Sequence, residues 1–205
     1  MPKPLFRRLR LLAARQFLAA VVVAMSLGFT ASQSAEAAVV RASSAAPAKV
    51  DIAKRVAAVL EKLLNANAIQ FDGEIRLVTD IGFHAEAFFG KPGFVKLGEN
   101  YAQSLTDSEL TFVLAHELVH LMTVHGDRIR QFYANEVSAG LASPSDIHHV
   151  LEAEADRMGL QWAAKAGSNA QHAVAALKRA YGSSSASFTT HPALNTRAAA
   201  LLAAQ

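Results

Sequence analysis

One helix constrains the fold of this chain more than any other segment. Residues 106–109 (TDSE) have the pattern of a capping box, in which a threonine begins a helix and a glutamate three residues later reaches back to it. An apolar run that extends to about His125 follows, so the predicted helix is buried over most of its length. This helix carries the sequence H-E-L-V-H at residues 116–120. Histidines four residues apart lie one above the other on the same helix face.

The two stacked histidines and the glutamate between them have the pattern of a catalytic zinc site. His116 and His120 can bind one Zn²⁺ together, and Glu117 is placed to act on the attacking water rather than on the metal. The alternative is a pair of buried structural histidines. It leaves unexplained why a glutamate stands within an apolar run, where burial without a purpose is unfavourable. The segment therefore predicts two zinc ligands and a catalytic general base.

A catalytic zinc ion needs a third protein ligand and one open position. Glu152 is favoured, because Asp156 lies one turn later on the same face of a second predicted helix. From there Asp156 can accept the free ring N–H of a ligating histidine. Glu154 points to roughly the opposite side of that helix. The alternative for Glu152 and Asp156 is a solvated acidic face.

Four histidines are further candidates for the third ligand. His125 lies about 140° around the helix from His120 and is expected to be a structural or surface residue. His148 and His149 are expected to cap the first turn of the second helix. His191 precedes Pro192 in a segment that follows a serine-rich stretch at 183–187.

The order of these motifs resembles that of the HtpX/BepA-type zinc metallopeptidases, which are gluzincins related to the CAAX prenyl proteases. The matching segments are H-E-x-x-H at 116–120, E-x-x-A-D at 152–156 and H-P-x-x-x-x-R at 191–197. The resemblance implies Glu152 as the third ligand and Asp156 as the partner of a ligating histidine. It also implies that His191 approaches the zinc as an extra, regulatory ligand, as in some members. The chain departs from the family in having Glu-Ala at 86–87 where Asn-Ala is common.

The first 37 residues have the pattern of a secretory signal peptide. Five basic residues precede the first acidic residue, Glu36, an apolar run of 13 spans 17–29, and residues 35–37 (AEA) fit the A-x-A cleavage pattern. A membrane span needs about 20 apolar residues, so an uncleaved anchor is the less favoured alternative. We therefore expect a signal peptide at 1–37, a flexible leader at 38–48 and a single zinc metallopeptidase catalytic domain at 49–205. The expected location is the periplasm, and the expected form is a minimal domain without a membrane span.

Charge and cysteine content exclude several classes of protein. The net charge of +3 comes from the basic residues before Glu36, so no basic patch remains that would indicate nucleic-acid binding. The chain has no cysteine, which excludes disulfides, a thiolate zinc site and a cysteine nucleophile.

Periodicity predicts an α+β fold, a mostly helical zincin-like domain with a small β-sheet next to the active-site helix. Strands are expected at 74–80 and 94–97, and helices at 49–67 and from about Ser145, Asn169 and Pro192. The segment 94–97 (FVKL) is expected to take up a peptide by β-augmentation.

The predicted function is zinc-dependent endopeptidase cleavage of unfolded or damaged envelope proteins, as in protein quality control. Under this hypothesis, His191 either blocks the open position of the zinc ion as a gate or donates a hydrogen bond to the developing oxyanion. The alternative is a zinc-containing chaperone-like or binding module with little turnover, in which His191 fills the open position.

Overall fold

The computed structural model describes residues 39–42, 47–79, 82, 84–182 and 190–204. The predicted signal peptide and the serine-rich stretch at 183–187 lie outside these residues.

The fold is α+β and mostly helical, as predicted. The strands are β1 Val39–Ala42, β2 Glu74–Val78, β3 Ala85–Phe88 and β4 Phe94–Gly98. The helices are α1 Pro47–Asn67, α2 Glu99–Ser104, α3 Asp107–Met122, α4 His125–Phe132, α5 Pro144–Lys165, α6 Ala170–Tyr181 and α7 Leu194–Ala203, with a π-helical turn at Tyr133–Val137. None of the helices in the described ranges is both long and apolar enough to cross a membrane.

The four strands form one mixed sheet in the order β1-β2-β4-β3. β1 and β4 both pair with β2 in parallel, and β3 pairs with β4 in antiparallel fashion. β4 is therefore an interior strand with both edges paired, so the expectation that residues 94–97 take up a peptide is wrong. The edge strand on this side of the sheet is β3.

The N-terminal end of the described region differs from the expected leader at 38–48. Val39–Ala42 pairs with β2 in the register Val39 to Glu74, and α1 already begins at Pro47. The sequence of this strand is V-V-R-A.

Helix α3 lies at the centre of the core, since every residue from Glu109 to His120 is buried. A helix that is buried on all sides must be surrounded by other elements, and α3 contacts α1, α5, α6 and β3. The predicted capping box begins it. The Thr106 hydroxyl accepts a hydrogen bond from the Glu109 N–H, and the Glu109 carboxylate accepts one from the Thr106 N–H. The fixed start of α3 sets which residues face each neighbouring element.

Helix α5 packs against α3 more extensively than any other pair of elements, and Gly159 makes this approach possible. A Cβ atom at position 159 would lie 3.0 Å from both the backbone N and the Cα of His116. Backbone atoms inside a buried helix cannot move aside as a flexible side chain can. The missing side chain of Gly159 therefore allows α5 to reach the histidine-bearing part of α3.

We expect Gly159→Val to lower the free energy of unfolding by about 1–3 kcal/mol, because the added side chain forces the two helices apart. Ala153→Val is the matched control, since Ala153 is an exposed residue in the middle of the same helix. Urea unfolding of both variants measures the difference. Equal losses in the two variants would show that valine weakens the helix itself rather than its packing.

Candidate metal centre

Three buried side chains from α3 and α5 converge on one point. The Nε2 atoms of His116 and His120 lie 3.2 Å apart. Glu152 Oε2 lies 3.5 Å from Nε2 of His116, and Glu152 Oε1 lies 3.3 Å from Nε2 of His120. Each residue thus offers one ligand atom to a common centre that can hold a metal ion. The structure brings together the three residues that sequence analysis predicted as zinc ligands.

The remaining ring nitrogen of His116 faces Asp156. Its Nδ1 lies 3.0 Å from Asp156 Oδ1, which is the placement that sequence analysis predicted. A carboxylate on this side favours a proton on Nδ1 and leaves the lone pair of Nε2 directed toward Glu152.

Arg197 of α7 connects the two carboxylates of α5. It is 4% exposed, and its Nε and Nη2 donate hydrogen bonds of 2.8 and 2.7 Å to the two oxygens of Asp156. Its Nη1 lies 3.2 Å from Glu152 Oε2. Sequence analysis noted Arg197 only as part of a motif and gave it no role. The available signal was a single arginine within an apolar segment, A-L-N-T-R-A-A-A-L-L, since a charge in such a segment is buried only with a partner.

The electrostatics of the centre favour a positive charge. Burial by itself lowers the pKa of His116, but the carboxylates of Glu152 and Asp156 outweigh it and raise that pKa to about 10. Burial raises the pKa of Glu152, yet the nearby histidines and Arg197 outweigh it and hold that pKa well below its ordinary value. A divalent cation supplies the positive charge that this arrangement favours. The two imidazoles and one carboxylate are also the donor set of known catalytic zinc sites, so the residues fit a zinc ion.

Glu117 is buried beside the three candidate ligands but is not one of them. It lines a cleft of about 390 Å³ together with His116, His120, Tyr181 and other residues. Burial raises the pKa of Glu117, although the neighbouring histidines oppose this effect. A carboxyl group beside a reacting water can accept a proton and later donate it.

His191 lies at the rim of the centre. Its Nε2 is 3.8 Å from Glu152 Oε2, and its Nδ1 is 2.8 Å from Thr190 Oγ1. The side chain is 35% exposed, unlike the three buried candidate ligands. His191 therefore lies next to one of the candidate ligands, and both roles expected for it remain predictions.

The other acidic and histidine candidates on α5 lie outside the ligand group. Glu154 faces Arg128 at 2.7 Å. His148 is half-buried, with Nε2 3.4 Å from the Tyr133 hydroxyl. His148 and His149 both lie more than one turn beyond the N-cap, because α5 begins at Pro144 with Ser143 as N-cap. The prediction that these two histidines cap the first turn of α5 is therefore wrong.

His125 is buried, which excludes the surface position but agrees with the structural alternative. It is fully buried, and its Nδ1 lies 2.9 Å from Nδ1 of His120. The predicted angle of about 140° between His120 and His125 required α3 to continue as a regular helix to His125. Instead α3 ends at Met122, and Val124 adopts the left-handed conformation with φ 53°. This turn starts α4 in a new direction and brings His125 against His120.

We expect Glu152→Ala to lose zinc and Glu154→Ala to retain it, because only Glu152 shares the centre with the two histidines. Glu154→Ala is the matched control, since it removes a carboxylate two residues away on the same helix. Metal content of both purified variants measures the difference. If Glu154→Ala lost zinc while Glu152→Ala retained it, the assignment of Glu152 as the third ligand would be contradicted.

A buried His-His-Glu group, a buried glutamate in the adjoining cleft and a β-strand edge beside them are the features of a metallopeptidase active site. Residues 51–143 match the model of peptidase family M48, a family of zinc metallopeptidases. The matched range contains both histidines and Glu117, whereas Glu152, Asp156 and His191 lie beyond it. No curated protein matches the chain. The match covers less than half of the chain, and over that range it supports a likeness to the M48 metallopeptidases.

Proposed function

We propose that the chain is a zinc-dependent endopeptidase of the HtpX/BepA type. The observation that carries this proposal is the convergence of His116, His120 and Glu152 beside a buried glutamate in an open cleft. These three residues would hold the zinc ion. When bound, zinc acts as a Lewis acid toward the scissile carbonyl and lowers the pKa of water toward 7.

The protein side chains supply the proton transfers. Glu117 accepts a proton from the attacking water and later donates it to the leaving amine. Asp156 holds the His116 ring by its Nδ1 side, and Arg197 holds both Asp156 and Glu152 in place.

The substrates that we propose are unfolded or damaged envelope polypeptides. The edge strand β3, Ala85–Phe88, lines the same cleft as Glu117 through Ala85, Glu86 and Ala87. An extended peptide can add to such an edge by backbone hydrogen bonds, which are largely independent of its sequence. The signal-peptide pattern at 1–37 supports a periplasmic location, where such substrates arise.

The test is the metal content and proteolytic activity of the purified chain. We expect one zinc per chain and hydrolysis of casein that stops when a chelator removes the metal and returns when zinc is added. His116→Ala and His120→Ala should lose zinc. A wild-type protein that folds cooperatively yet binds no zinc would refute the proposal.

A gated enzyme is the second candidate, because His191 lies 3.8 Å from Glu152 Oε2. A neutral imidazole is a good zinc ligand, and from this position His191 can fill the open coordination site. The gate predicts that His191→Ala raises casein hydrolysis or self-cleavage. A transition-state donor predicts that activity falls by about 10²–10³-fold.

We favour the gate, and initial rates of casein hydrolysis by wild type and His191→Ala distinguish the two roles. Thr190→Ala is the companion variant, since Thr190 contacts His191 Nδ1. It should change activity in the same direction but less. Reduced activity in His191→Ala would eliminate the gate.

A further inference from the structure

His125 is a buried polar residue to which the proposed chemistry assigns no role. Its side chain is 0% exposed, and a buried polar ring requires hydrogen-bond partners. Its only hydrogen-bond contact among the described residues joins its Nδ1 to Nδ1 of His120 at 2.9 Å. The two rings meet edge to face, with an interplanar angle of 81°.

The hydrogen on each ring follows from the position of the metal centre. Nε2 of His120 faces Glu152 and His116, so its lone pair must be free when it acts as a ligand. The ring hydrogen of His120 is then on Nδ1 and is donated to Nδ1 of His125. His125 must accept with its own lone pair, which places its hydrogen on Nε2.

The far side of His125 agrees with this assignment. Its Nε2 lies 3.9 Å from Glu154 Oε2, a carboxylate oxygen that accepts a hydrogen bond from Arg128 at 2.7 Å. A negative oxygen on this side favours the tautomer with hydrogen on Nε2. The carboxylate is too distant for a direct hydrogen bond, so the contact with His120 is what fixes the His125 ring.

The backbone around His125 holds the ring against α3. The left-handed turn at Val124 separates α3 from α4. The next residue, Gly126, packs so closely that an added Cβ would lie 2.4 Å from the ring of Phe89. A residue with a side chain cannot fit at position 126 without moving Phe89, so Gly126 allows the start of α4 to lie against Phe89.

We propose that His125 is a positioning residue of the metal centre, which fixes the tautomer and ring orientation of His120. Asp156 does the same for His116, so each histidine ligand has its own partner on Nδ1. The two partners differ in charge, since His125 accepts as a neutral ring and Asp156 as a carboxylate. This role rests on the proposed function, because it requires His120 to be a metal ligand.

The test compares zinc affinity and the cobalt spectrum across a set of variants. Zn²⁺ dissociation constants are measured by competition with a chelator, and the visible absorption of the Co²⁺-loaded protein reports the ligand geometry. We expect His125→Leu to weaken zinc binding by about 10–100-fold, the usual effect of losing such a partner, and to change the cobalt spectrum.

Two amide variants separate the hydrogen bond from simple packing. The side-chain oxygen of asparagine can take the place of Nδ1, so His125→Asn should restore zinc affinity and the cobalt spectrum. Glutamine extends its amide to the place of Nε2, so His125→Gln should not restore them. Val59→Ala is the stability control, since Val59 is buried in α1 within the hydrophobic core. It should lower the melting temperature of the metal-free protein without changing zinc affinity.

Each outcome has a distinct meaning. Wild-type zinc affinity in His125→Leu would overturn the role of His125 and leave the proposed function intact. Equal weakening in the leucine, asparagine and glutamine variants would also overturn it, because the acceptor at Nδ1 would then not matter. Failure of the wild-type protein to bind zinc would overturn the proposed function and this role together.

Discussion

Replacement of Glu117 by glutamine should leave zinc binding unchanged and reduce peptide hydrolysis by about 10²–10⁴-fold, the usual contribution of a general base. Glutamine has nearly the shape of glutamate but cannot take a proton from water. Glu117 is buried beside the ligand group without being part of it, so the metal should stay. Metal content and initial rates of casein hydrolysis, measured on the same preparation, test both halves of this expectation.

The zinc content of Glu117→Gln decides whether the roles of metal ligand and general base are correctly assigned. A Glu117→Gln variant that folds normally but contains no zinc would show that Glu117 is itself a ligand. Retained activity would show that another group takes the proton. Glu86→Gln is a suitable control, because Glu86 lines the same cleft but is exposed and belongs to the edge strand.

The start of α3 and the grouping of its functional residues could be predicted from sequence because both depend on local rules. A capping box involves four consecutive residues, and a pair of histidines at i and i+4 shares a face in any α-helix. The placement of Glu152 and Asp156 followed from the same periodicity in α5. These predictions needed only that each helix be regular over one or two turns.

The rest of the site depends on contacts between distant segments. His125 was misplaced because its position depends on a left-handed turn at Val124, and valine gives no signal for such a turn. Strand β3 was missed because its four residues, A-E-A-F, are too few for a clear alternation. Its pairing with β4 decides which strand is at the edge of the sheet. The close approach of α5 to α3 at Gly159 likewise has no signature within the α5 sequence.

Arg197 shows how a residue without a predicted role can hold a site together. It comes from α7, about 40 positions after the carboxylates that it contacts, so no local pattern links them. Its guanidinium places two parallel hydrogen bonds on Asp156, a geometry that lysine cannot reproduce. The same group lies against Glu152. Three helices, α3, α5 and α7, are thereby connected through one buried ion-pair network.

Replacement of Arg197 by methionine should lower the free energy of unfolding of the metal-free protein by about 3–5 kcal/mol, because it leaves buried carboxylates without their cation. Arg197→Lys keeps the charge but loses the paired hydrogen bonds, so its loss should be smaller. Urea unfolding in the presence of a chelator measures both.

The control for this effect is an arginine whose ion pair is exposed. Arg130 pairs with Asp127 on the surface of α4, and Arg130→Met should change the free energy of unfolding by no more than about 1 kcal/mol.

The double variant Arg197→Met with Asp156→Asn should be less destabilised than Arg197→Met alone, since one of the unpaired charges is removed together with its partner. If Arg197→Met and Arg130→Met proved equally mild, the carboxylates of α5 would have to be stabilised by the histidines alone. The assignment of Arg197 as their essential partner would then be wrong.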